Sequence, residues 1–163
     1  MSDMGSTKKI LVAFFSATGR TRKLAQRISE MYNLELFEIK PKKPYTKLNL
    51  FWINPLSRVC REHRNKFKLP EIENNDMNLN RYDKVVICFP VWWFTTPNVI
   101  HTFLKTHDFS NKKVLLFGTS GSSGVNDVVN NLKDFVDSSC TIIEGKINPT
   151  DEEIKDVMDD FIG

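Results

Sequence analysis

The stretch ILVAFFSATGRTRKLAQRI, Ile10 to Ile28, changes character in the middle. Ile10 to Phe15 is apolar without interruption and has the length of a buried strand. From Leu24 onward the apolar residues Leu24, Ala25, Ile28 and Met31 recur at i, i+1, i+4 and i+7, which is one face of a helix. Between them lies SATGRT: Ser16, Ala17, Thr18, Gly19, Arg20 and Thr21. A turn with an N-cap would account for it. So would a cradle for a phosphate. Ser16, Thr18 and Thr21 offer hydroxyls, and Gly19 permits close approach or a positive φ. A helix starting there aims its free N–H groups and positive dipole end at the same point.

The strand–loop–helix pattern repeats along the chain. LELFEI (34–39) alternates apolar and acidic residues, as a strand with one wetter face does. YDKVVICFP (82–90) and KKVLLFGT (112–119) are continuous apolar runs, and CTIIEGKI (140–147) is more polar and is expected at a sheet edge. Helical faces are expected at Val99, Ile100, Phe103 and Leu104, at Val128 to Val136, and at Ile154 to Ile162. The last helix opens on Thr150-Asp-Glu-Glu153, a capping box with acids in its first turn. Apolar strands separated by amphipathic helices predict an α/β doubly wound three-layer sandwich around a parallel sheet. The irregular part is Pro41 to Arg81, with prolines at 41, 44, 55 and 70 and one helix candidate (Leu56, Val59, Cys60, His63, Phe67). A connection that long in a compact domain is often functional.

The chain has 163 residues and a net charge of +3, the proportions of one ordinary domain. That charge is too small to argue for nucleic acid. No apolar run approaches the ~20 residues needed to span a bilayer, and no signal peptide is expected from the N-terminus. Residues 1–7 are small and polar and are expected to be disordered, leaving 8–163 as one domain. Cys60, Cys88 and Cys140 form no C-x-x-C pair and fit a reducing cytoplasm, with Cys88 as a core hydrophobe. The charge is uneven. Lys40, Lys42, Lys43, Lys47, Arg58, Arg61, Arg64, Lys66 and Lys68 are opposed within that segment only by Glu62, whereas the last helix is acidic. A solvated surface or a patch that attracts an anion would both produce this bias.

In an open parallel sheet, ligands bind beyond the carboxyl ends of the strands, where the strand order reverses. Two more loops leave strands there. FPVWWFTTP contains Pro90, Val91, Trp92, Trp93 and Phe94, and its adjacent tryptophans either both pack into the core or offer a flat apolar surface for a planar ring system. GTSGSSGV contains Thr119, Ser120, Gly121, Ser122, Ser123 and Gly124, which suit either a flexible connector or a backbone wall rich in N–H groups and hydroxyls. The P-loop and G-x-G-x-x-G patterns are absent, as are C-x5-R and Ser-His-Asp signatures. His63, His101 and His107 show no metal-ligand spacing.

Phe14, Ser16, Gly19, Thr21, Ala25 and Ile28 resemble the phosphate-loop signature of the flavodoxins. The P-x-W-W-x-x-x-P and T-x-G-x-S-G stretches resemble a short flavodoxin-like subfamily found mainly in bacteria. The resemblance runs from Lys9 to about Ile162. It implies strand order 2-1-3-4-5, FMN at the switch point between the first and third strands, and contacts to FMN from the three loops. It implies electron transfer through FMN, either to a redox partner protein or, as an NAD(P)H-dependent oxidoreductase, to a quinone or other small acceptor. The chain departs from flavodoxins proper in being mildly basic and in having no aromatic residue in its third loop. One flavin face is then open to a substrate, or closed by the 41–81 segment (Tyr45 or Trp52) or by a second subunit. Monomer and homodimer both stay open, as does a binding module without cofactor. A less acidic site favours the reduced flavin anion by Coulomb attraction and raises the potential. A phospho-receiver would need an acidic cluster at the strand ends, where this chain has Ser16, Pro90 and Gly118.

Overall fold

A computed structural model describes residues 10–43, 46, 58, 61–62, 65, 67–73, 78–91, 96–120 and 128–163. Five strands form one sheet: β1 (Ile10–Phe14), β2 (Glu35–Glu38), β3 (Lys84–Pro90), β4 (Lys113–Thr119) and β5 (Thr141–Ile147). All pairings are parallel, in the order β2-β1-β3-β4-β5. The helices are α1 (Arg20–Tyr32), α2 (Asn98–Thr106), α3 (Val128–Leu132) and α4 (Asp151–Ile162).

The alternation of side chains along each strand divides the core in two. Leu11, Ala13, Val85, Ile87, Phe89, Val114 and Leu116 face α2 and α3, where Val99, Ile100, Phe103, Leu104, Val128 and Leu132 meet them. Ile10, Val12, Phe14, Val86, Cys88, Leu115 and Phe117 face α1 and α4, where Leu24, Ala25, Ile28, Ile154, Met158 and Phe161 close the other side. Both faces of the sheet are covered, which is why the central strands are apolar throughout. Strands β2 and β5, the more polar ones, take the edges, and Leu36 on β2 stays exposed. Burial pushes the Cys88 thiol far above its ordinary range, as for an inert core residue.

Two local readings are sharpened. The capping box at Thr150 forms in full: the Glu153 N–H donates to Thr150 Oγ1 at 3.2 Å and the Thr150 N–H to Glu153 Oε1 at 2.9 Å. The expected helix Val128 to Val136 is instead α3 followed by a 3₁₀ turn, Lys133–Phe135. The tighter turn carries Phe135 into the core, stacked on His101 with centroids 4.3 Å apart.

The 41–81 connection is pinned at its base. Pro41 and Ile72 form an antiparallel bridge, and Ile72, Leu79 and Tyr82 enter the core. The basic run 40–68 takes acids from its flanks: Lys40 lies 4.0 Å from Glu38 and Lys42 3.9 Å from Glu71. Arg58 and Glu62 pair at 2.9 Å with little exposure. Most of the helix candidate 56–67, together with Tyr45 and Trp52, lies outside the described residues.

Candidate functional site

Strands β1, β3 and β4 are adjacent, and their carboxyl ends release the three unusual loops side by side. The chain goes from β1 outward to β2 and then crosses back to β3, so the order reverses between β1 and β3.

At the end of β1, Ser16 Oγ accepts from the Gly19 N–H at 2.9 Å and closes the loop on itself. Gly19 takes φ +98°, a left-handed conformation that glycine adopts without strain. It stands at the N-cap of α1, and no side chain caps the helix. The N–H groups of Arg20, Thr21 and Arg22 find no acceptor among the described residues. No acid lies in the first turn, whereas Arg20, Arg22 and Lys23 do. This helix start is electropositive and has free donors, which is the chemistry an oxyanion requires. Thr18 and Arg20 are exposed, and Ser16 and Ala17 are half-buried.

The third loop is tied to the first. Thr21 Oγ1 and Thr119 Oγ1 share a buried hydrogen bond of 2.7 Å, and Arg20 Nη2 donates to the Ser120 carbonyl at 3.2 Å. The Thr21 hydroxyl therefore braces β4 and is directed away from the solvent side of the loop. Ser120 is held by Asn148, just past β5. The Ser120 N–H donates to Asn148 Oδ1 at 3.1 Å, and Asn148 Nδ2 donates back to the Ser120 carbonyl at 2.7 Å. Asn148 sits at φ +47°, where asparagine is among the few non-glycine residues at ease. The Ser120 Oγ is buried and has no hydrogen-bond partner among the described residues, an orphan that a polar ligand would satisfy.

The second loop is anchored at both ends. The Val91 N–H donates to the Thr119 carbonyl at 2.8 Å, and Thr96 Oγ1 pairs with His101 Nε2 at 2.9 Å. A Cβ on Gly118 would lie 2.8 Å from Val91 Cγ2, so glycine there lets β3 and β4 leave the sheet in close contact. Of the predicted site residues, the structure brings Ser16 to Thr21, Pro90, Val91, Thr119 and Ser120 to one edge. Trp92, Trp93, Phe94, Gly121, Ser122, Ser123 and Gly124 lie outside the described residues. Sequence reasoning missed Asn148, Thr96 and His101. Only the Asn-Pro pair at 148–149, a turn signal directly after a strand, pointed to the first of them.

The sequence matches the flavodoxin family model over residues 9–161. The chain belongs to the flavodoxin family. Among solved structures, this flavodoxin is similar to a Bacteroides eggerthii protein provisionally designated a flavoprotein, at 36% identity and TM-score 0.86, covering 94% of this chain and 97% of that one. A Bacteroides uniformis protein with the same provisional designation matches at 32% identity and TM-score 0.85, covering 93% and 97%. A Lactobacillus acidophilus flavoprotein, solved in complex with FMN, shares the fold at 21% identity and TM-score 0.73, covering 96% and 99%. No protein of curated function matches the chain. No helix among the described residues is long and apolar enough to cross a membrane.

Proposed function

We propose that this flavodoxin is a redox protein that binds FMN and passes electrons through it. The observation that carries the proposal is the uncapped, acid-free start of α1 at the switch point, beside the orphaned Ser120 hydroxyl. Residues 8–163 are read as one FMN-binding domain, with 1–7 outside it. The FMN phosphate is assigned to Ser16–Thr21, where the free N–H groups and the Thr18 hydroxyl donate to its oxygens. The ring is assigned to the space between Pro90–Phe94 and Thr119–Gly124, with the tryptophans as the apolar wall and the third-loop amides toward the polar ring edge. When bound, FMN supplies one- and two-electron chemistry through its ring. The chain's own residues bind, orient and screen it. The 2.7 Å Thr21–Thr119 bond and the Asn148 clamp on Ser120 hold the first loop, the end of β4 and Ser120 together before any ligand arrives, which supports the reading.

Two modes of use follow: electron carriage to a partner protein, and NAD(P)H-dependent reduction of a quinone or other small acceptor. Exposed Lys43, Arg61 and Lys68, which make no ion pair among the described residues, favour the second through attraction of an anionic nucleotide. The free thiols suit a reducing compartment, and we place the protein in the cytoplasm.

The test is an equilibrium titration of the apo-protein with FMN, riboflavin and FAD, followed by flavin and tryptophan fluorescence. Tight FMN binding with quenching of both signals, and riboflavin weaker by about 100-fold or more, is expected from a site whose phosphate contacts are charge-assisted. Equal affinity for FMN and riboflavin would remove the phosphate assignment. No binding of any flavin would leave the fold without the cofactor.

A further inference from the structure

The 62–68 turn is built with an unusual regularity. The Asn65 N–H donates to the Glu62 carbonyl at 3.1 Å, and the Lys68 N–H donates to the Asn65 carbonyl at 3.1 Å. These two bonds set the carbonyls of residues 62, 65 and 68 to one side. All three converge on one atom. Asn98 Nδ2 lies 3.0 Å from the Glu62 oxygen, 2.9 Å from the Asn65 oxygen and 2.8 Å from the Lys68 oxygen. Asn98 is buried and stands at the first position of α2, one residue after the second loop ends at Pro97. One turn further along α2, Thr102 Oγ1 donates to the Pro70 carbonyl at 2.7 Å. The other limb of the connection is tied in as well, because Arg58 Nη1 donates to the Lys43 carbonyl at 2.6 Å.

The start of α2 lies at the carboxyl edge of the sheet, where the three loops emerge. The turn it holds carries exposed Arg61 and Lys68, and the limb tied to it carries exposed Lys43. Three carbonyl dipoles pointing at one amide nitrogen need a donor there. With alanine the Lys68 carbonyl loses this donor and the turn loses its tie to α2, and with a carboxylate the three oxygens would face a fourth acceptor. The identity of residue 98 therefore decides whether the cationic turn is held at this edge.

We propose that Asn98 is a positioning residue that clamps the basic 61–68 turn beside the FMN site, so that the held cations select for anionic redox reactants. The proposal rests on the FMN reading above. The clamp sets which reactants reach the flavin and leaves phosphate binding alone.

The experiment uses the FMN-loaded full chain reduced with dithionite. It measures reoxidation by ferricyanide, an anion of which two ions each take one electron per reduced flavin, and by neutral benzoquinone, which takes two electrons and two protons. Each rate is recorded from low to high salt. In the wild type the ferricyanide rate falls about tenfold or more across that range, and the quinone rate changes less than about twofold. In Asn98→Ala the salt dependence of the ferricyanide rate is largely lost and the quinone rate is kept. Asn98→Asp loses it further than the alanine variant. Thr102→Val, nearly isosteric and milder, gives an intermediate loss, and Lys105→Ala, exposed at the far end of α2, gives none. Tryptic cleavage after Arg61 and Lys68 in the apo-protein rises about tenfold or more in Asn98→Ala, because cleavage follows the population of the opened turn. Unchanged salt dependence in both Asn98 variants, or equal behaviour of Ala and Asp, would overturn the selection role. Unchanged proteolysis would overturn the clamp. A wild type that binds no FMN would overturn the parent reading, with the proteolysis still deciding the clamp.

Discussion

Two helices on the same face of the sheet begin in opposite ways. Helix α4 starts with a complete capping box and three acids in its first turn, the arrangement that stabilises a helix start. Helix α1 starts at a left-handed glycine, with no side-chain cap, no acid in the first turn and cations in place of them. Both follow a strand and both are covered by the same core. The difference lies in where the N-terminal donors are used. At α4 the Glu153 N–H is taken by Thr150 Oγ1 and the Thr150 N–H by Glu153 Oε1. At α1 they are left free at the switch point of the sheet, with an unsatisfied serine hydroxyl across from them. On the FMN reading proposed above, the helix start that departs from these stability rules is where the phosphate supplies the missing partner.

Making α1 resemble α4 should separate binding from stability. Arg20→Glu puts an acid in the first turn of α1, where it favours the helix dipole but repels a phosphate dianion. FMN affinity is expected to fall about 100-fold, riboflavin affinity much less, and thermal stability to stay level or rise slightly. Isothermal titration and a thermal melt check both halves. An equal loss for FMN and riboflavin would place the phosphate elsewhere.

Gly19→Ala asks for a smaller change. A Cβ at Gly19 meets nothing within 4 Å, so the cost comes only from holding alanine at φ +98°. That cost is about 1 kcal/mol or more. The loop relaxes to avoid it, and FMN affinity should drop about tenfold. A variant with wild-type affinity would show that the left-handed turn is not needed for binding.

The reverse experiment is performed on α4. Thr150→Ala removes the cap and should cost about 1 kcal/mol, or roughly 2–4 °C in Tm for a chain of this size, with FMN affinity unchanged within about twofold. A large loss of FMN binding would mean that the two helix starts are coupled.

The smallest effect concerns the far ends of the same helices. Tyr32, at the end of α1, donates its hydroxyl hydrogen to Asp159 Oδ1 on α4 at 2.8 Å. Burial first, then the hydrogen bond and the charge of Asp159, push its pKa up to about 12 from the ordinary 10.0. The folded state holds this proton more tightly than the unfolded state. The contribution is therefore complete below pH 10 and is lost as pH rises from about 10 to about 12. Tyr32→Phe should show a shallower loss of stability over that interval in pH-dependent denaturant melts. An identical slope would mean that the bond is not maintained in solution.

The architecture was legible because the central strands are buried on both faces and so carry unbroken apolar runs such as Ile10–Phe15 and Val85–Phe89. The Thr150 cap was legible because both its partners lie within four residues. The places where the loops leave the sheet could be read from the strand ends at Phe14, Pro90 and Thr119. What fastens the loops together could not. Thr21 and Thr119 are 98 residues apart, Asn148 and Ser120 are 28 apart, and Asn98 reaches back 36 residues to Glu62. No local pattern announces such pairs. The pairing of Lys40 and Lys42 with Glu38 and Glu71 shows the same limit, because counting charges within a segment overlooks acids folded in from its flanks.

The central claim is that the free start of α1 holds a phosphate dianion. The ³¹P NMR signal of FMN bound to the full-length protein, followed from pH 5 to pH 8, tests it most directly. A phosphate held by helix N–H groups and hydroxyls, with Arg20 beside it, stays doubly ionised, so its shift should remain constant across a range in which a free phosphate monoester titrates near pKa ~6. A shift that follows the free-FMN titration curve would contradict the account, because it would leave the phosphate in solvent and the start of α1 without a ligand.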